Sequence, residues 1–182
     1  MTWPRSLLCA AAIPIAVLLA ACSDDPAEGD AIPLARGESL GEMRQQAGEA
    51  LARYDDAIAE AGPSATPSMQ PPPWDAASPP AGLTIESARG SETGSRLMVT
   101  FTGSQRPATE PCGADYYAEA VESDRAVVVI VIEQAHAVGE ICTLVGYPRS
   151  ASLNLARPLG RRAVLEAKQG MPVPVTPAPV TD

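Results

Sequence analysis

From residue 83 onward, apolar and polar side chains alternate with a period of two, which predicts short β-strands. Leu83 and Ile85 alternate with Thr84 and Glu86, and Leu97, Val99 and Phe101 alternate with Met98, Thr100 and Thr102. Between these runs, the Gly90 to Gly94 region supplies the small and polar residues of a hairpin turn. Residues 116–122 form a third candidate strand. Val127 to Ile132 is β-branched without a polar break, the pattern of a strand covered on both faces. Residues 141–147, 152–156 and 162–167 complete a set of about seven short strands. Such a series predicts a mainly β fold, a small antiparallel β-sandwich over residues 83–176, with residues 177–182 as a tail.

Upstream the period changes to that of a helix over residues 38–62. Leu40, Met43, Ala47, Leu51, Tyr54 and Ile58 recur at spacings of three or four, within an arc of about 80°. Ser39 and Glu42 have the spacing of a capping box, and Gly62 with Pro63 gives a stop signal. Gly41 and Gly48 each cost about 1 kcal/mol relative to alanine, so this helix needs packing to persist. Its stripe has two possible uses. It lies on the chain's own β domain, or Leu40, Met43, Leu51, Tyr54 and Ile58 meet a protein partner. Residues 63–82, PSATPSMQPPPWDAASPPAG, form a proline-rich linker that stays extended, reaching roughly 60 Å at full stretch.

The remaining apolar run is at the start, from Leu7 to Leu19 behind Arg5. It is shorter than the roughly 20 residues needed to cross a bilayer, and it has the three-part layout of a secretory signal. It ends in Leu19-Ala20-Ala21-Cys22, which resembles the lipobox of bacterial lipoproteins. The resemblance implies that residues 1–21 are removed and that the Cys22 thiol carries diacylglycerol with palmitate-type chains. Cys22 would hold the protein to the extracytoplasmic face of the cell membrane, since two acyl chains anchor stably where one is marginal. Residues 22–37 are then a disordered tether. The stretch from Cys112-Gly113-Ala114-Asp115-Tyr116 through the valine run to Arg157-Pro158-Leu159-Gly160 is similar to the exported domains of small lipoproteins from GC-rich Gram-positive bacteria. That likeness supports the address and implies no activity.

Charge and cysteines sharpen this picture. The formal net charge is −9, and residues 22–62 carry ten acids against Arg36, Arg44 and Arg53. An acidic segment of this kind disfavours nucleic acid as a partner, because phosphate binding needs concentrated lysine and arginine. With Cys9 lost in the signal and Cys22 acylated, Cys112 and Cys142 remain as an even pair in an oxidising compartment. A structural disulfide is expected.

Candidate chemistry is thin. His136 is the single histidine and lies in a glycine-containing loop, with no GxSxG elbow to accompany it. Asp115, Glu119, Glu122 and Asp124 form a carboxylate cluster that reads as a solvated edge rather than a hydrolase pair. Arg157, Arg161 and Arg162 have the residue type that forks carboxylate or phosphate, or else balance surface acids. Tyr116, Tyr117 and Tyr147 surround the cysteines. No catalytic residue, metal site or cofactor is expected. The function these features predict is a membrane-anchored lipoprotein displaying a non-enzymatic interaction module. The alternatives are a transporter-associated solute-binding lipoprotein and a cell-envelope hydrolase.

Overall fold

The structure, a computed structural model, describes residues 40–62, 67–73, 80–136, 141–143 and 145–178. The lipobox with Cys22, the tether, Ser39 and Trp74 lie outside the described residues. The described residues all belong to the unit spanning Ile32–Asp182. The elements are α1 (Leu40–Ala61), β1 (Ile85–Gly90), β2 (Arg96–Gly103), β3 (Ala114–Glu122), β4 (Ala126–Ala135), β5 (Tyr147–Asn154), β6 (Ala163–Glu166) and β7 (Val175–Pro177). They form a mainly β fold of two packed sheets, ordered β5-β2-β1-β7 and β3-β4-β6.

β4 explains the layering. Val127, Val129 and Val131 point toward the four-stranded sheet and pack with Leu97, Val99 and Phe101. Ala126, Val128, Ile130 and Ile132 point the other way, into a second apolar cluster. A strand that is apolar on both faces needs cover on both, and α1 supplies the second cover. Leu40, Met43, Ala47, Leu51 and Tyr54 are buried in that cluster, and Ile58 packs at its margin. Of the two uses expected for the stripe, Leu40, Met43, Leu51, Tyr54 and Ile58 thus meet the first. The chain's own three-stranded sheet occupies the stripe.

Polar contacts fix the direction of the helix. Arg44 Nε and Nη2 donate to the two carboxylate oxygens of Glu119 at 2.7 and 2.9 Å, a bidentate fork. Gln46 Nε2 donates to the Ala167 carbonyl at 2.7 Å. Glu119 pairs with Ile130 of β4, whereas Tyr54 and Gly62 border Asp124 and Arg125 just before that strand. The helix thus runs antiparallel to β4. It ends at Gly62, whose φ of 87° lies in the left-handed region that suits glycine at a helix C-terminus.

Three features differ from expectation. The sheets are mixed, because β4 pairs parallel with β6 and β1 parallel with β7. Between β4 and β6 the chain visits the other sheet as β5, and it re-enters running the same way as β4. The described residues between 141 and 146 do not make a strand of their own: Ile141 and Val145 are exposed, and β5 begins only at Tyr147. Apolar residues there have no neighbouring strand to pair with, because the segment is tied to the end of the sandwich through Cys142. The last strand, β7, extends to Pro177 and so takes in the start of the expected tail. Among the described residues, no helix is long and apolar enough to cross a membrane.

Candidate functional site: a disulfide-braced cleft

β2 and β4 leave the sandwich at the end where β3 and β5 enter it, and the loops there are knitted together. Cys112 and Cys142 form a disulfide with a Cα–Cα separation of 5.6 Å. It ties the lead-in to β3 to the segment before β5, and both cysteines are exposed. Cys112 has φ 59°, a left-handed conformation costing a non-glycine residue about 1–2 kcal/mol, so the loop is held against a local preference.

Residues 104–113 fold tightly under that bridge. Ser104 Oγ donates to the Cys112 carbonyl at 2.8 Å and accepts the Arg106 amide at 3.2 Å. Gly113 donates to Glu110 and Ala114 to Arg106, both at 2.9 Å. A Cβ on Gly113 would stand 1.8 Å from the Pro107 carbonyl oxygen, so only glycine permits this approach. Beneath the loop, Tyr116 meets Phe101 edge-on at 4.9 Å, and the Arg149 guanidinium lies 5.6 Å from the Tyr116 ring centre. The Tyr116 hydroxyl accepts the Ser104 amide. Its pKa is raised, chiefly by burial, with Glu133 and Asp115 adding to the rise against the Ser104 amide and Arg149. It remains a phenol.

These parts border a cleft of about 650 Å³, with Thr102, Gln105, Arg106, Glu133 and Tyr147 on its walls beside the disulfide. The mixture suits binding. Exposed apolar groups at Ile141 and Val145 stand next to hydrogen-bonding side chains of both polarities.

The chemistry-bearing residues singled out in the sequence are dispersed. His136 caps the loop rather than facing the cleft. Its amide donates to Gly113 at 2.9 Å, and its Nδ1 lies 2.6 Å from the Ala108 carbonyl. Asp115 accepts the Ala108 amide at 3.3 Å, and Glu119 is held by Arg44 and by the Tyr117 hydroxyl at 3.0 Å. Glu122 accepts Arg162 Nη1 at 2.6 Å and the Ala156 amide at 2.7 Å. Burial acts to raise its pKa, but that amide, Arg162 and Arg157 outweigh it, and the carboxyl is lowered. Asp124 pairs with Arg157 at 2.7 Å. The carboxylate cluster is therefore a set of braces.

Arg162 is buried, donating to the Leu159, Arg157 and Pro158 carbonyls as well as to Glu122. Of the three arginines, only Arg161 stays open. Among the described residues no group of three or more histidine, cysteine or acidic side chains could hold a metal ion. No sequence period announces Glu133 of β4 as a neighbour of Ser104 and Arg106, since they come from two separate segments. The one local hint was the glycine after Cys112. No family model, curated protein or solved structure matches the chain.

Proposed function

We propose that this protein is an extracytoplasmic lipoprotein, anchored through acylated Cys22, that displays its sandwich as a non-enzymatic interaction module. The observation that carries the reading is the oxidised Cys112–Cys142 bridge on the surface of the domain. Exposed disulfides persist in exported proteins and are rare in reducing compartments, which agrees with the lipobox-like Leu19 to Cys22. The bridge also braces the cleft best suited to contact another molecule.

A hydrolase reading is weakened because His136 faces the Ala108 carbonyl and the four clustered carboxylates are occupied by structural partners. A solute receptor of the two-lobed kind encloses its ligand, whereas the described residues form one sandwich with an open cleft. The test is cellular fractionation of the wild type beside Cys22→Ala. The wild type is expected in the membrane fraction with Cys112 and Cys142 resistant to thiol labelling, and the variant in soluble form. An unchanged membrane fraction for the variant overturns the anchor.

A further inference from the structure

At the opposite end of β4 from the disulfide, a second cleft of about 510 Å³ opens between the last turns of α1 and two turns of the sandwich. Its helix wall is Tyr54, Ile58 and Ala59, and its sandwich wall carries Arg125 and Arg161. Asp55, beside Tyr54, has a buried Oδ1 without a hydrogen bond, whereas two other neighbouring charges are already in use. Asp124 on the rim is paired with Arg157 at 2.7 Å, and Arg162 is saturated by Glu122 and four carbonyls.

Arg125 and Arg161 are different. Neither guanidinium has an ion pair or hydrogen bond among the described residues, and both are exposed. Tyr54 adds a third open donor: it is only 8% exposed, lines the cleft, and its hydroxyl also has no partner among the described residues. Its oxygen is open to the cleft rather than sealed in the core, so it can donate to an acceptor that enters. Two planar forks and a hydroxyl donor match an oxyanion, and Ile58 with Ala59 offers an apolar shelf beside it.

From this juxtaposition we propose that the cleft binds a small organic oxyanion, its phosphate or carboxylate on Arg125, Arg161 and Tyr54 and its apolar body against Ile58 and Ala59. The site goes beyond the display role and does not depend on it. Burial, and then the Asp55 charge, hold the Tyr54 pKa above its ordinary value, so the hydroxyl is a donor at neutral pH. The nearby rim acid, Asp124, favours a compact anion that reaches the arginines over a bulky polyanion.

The probe is phenyl phosphate, titrated calorimetrically into the full chain in detergent. Inorganic phosphate serves as the anion alone and benzyl alcohol as the apolar body alone. Saturable binding of phenyl phosphate, tighter than either, is expected. The double variant R125Q/R161Q should weaken it by about tenfold or more, and Tyr54→Phe by a few-fold. Arg89→Gln, an exposed arginine on the other sheet, should leave it unchanged. Thermal melts identify any variant that fails to fold, and for such a variant the loss of phenyl phosphate affinity with rising salt in the wild type provides the independent check. Absence of saturable binding overturns the proposal, as does binding unaffected by the double variant. Adsorption to phosphatidylglycerol vesicles without phenyl phosphate saturation also overturns it, since it would place the arginines on a lipid surface instead.

Discussion

Glu166 shows how a single side chain can set a pH dependence that its neighbours oppose. It is 3% exposed, its Oε1 accepts the Gln169 amide at 2.9 Å, and its Oε2 is buried without a hydrogen-bond partner. Burial raises its pKa, against the Gln169 amide and the Lys168 charge. A carboxyl whose folded pKa exceeds its unfolded value retains its proton longer in the native state. Its contribution therefore falls as pH rises from the unfolded to the folded pKa, and stays low above that. Glu122, lowered by its partners, acts in the reverse sense, stabilising above the unfolded pKa and losing effect as pH falls. Urea unfolding of Glu166→Gln across pH 4 to 8 should therefore show an advantage over the wild type that grows with pH. A constant offset would mean that folding leaves the Glu166 pKa unshifted. Nothing in the sequence marked Glu166, because it lies in a run read as an ordinary strand. Its burial comes from the Ala167 to Gly170 turn, which Gln46 draws onto the helix.

At the scale of elements, legibility followed the strength of the local period. The helix and β4 were both readable, and their juxtaposition follows from a β-strand apolar on two faces and a helix apolar on one. Strand direction was not readable, since alternation of side chains is the same for parallel and antiparallel pairing; β6 and β7 take their direction from a route through both sheets. Residues 141–147 were misread for the converse reason, as apolar residues signal burial only where a neighbouring element is available. The Arg44–Glu119 fork spans 75 positions, a distance at which no sequence period operates. If α1 is an integral layer, truncating its most buried large residue should unfold the whole domain more easily. Met43, 1% exposed, is that residue, and Met43→Ala should cost about 2–5 kcal/mol. The loss should register in one cooperative transition seen both by helical and by β-sheet circular dichroism. A change confined to the helical signal would mean that the helix melts separately and that the sandwich tolerates an uncovered β4.

For the molecule as a whole, the two clefts are separated by the length of β4. Its ten residues span about 33 Å, with the disulfide end at Ala135 and the arginine end at Ala126. The intervening strand is buried on both faces, and its core is shared by all three layers. Breaking the bridge acts first on the unfolded chain, which gains freedom over a 30-residue loop, so Cys112→Ala/Cys142→Ala should lower stability by about 3–4 kcal/mol. Within the native state the release is local, because Ser104 is bound to Arg106 and Cys112, and Gly113 to Glu110 and His136, all at that end. Hydrogen exchange in the double variant should therefore quicken at residues 104–113 and 145–149, while β4 stays protected. Phenyl phosphate affinity should remain within about twofold of wild type, since distant sites without shared partners act independently. A larger change in affinity would require that the bridge bias the Arg125–Arg161 end through β4, making the strand a coupling element between two ligands instead of a rigid spacer.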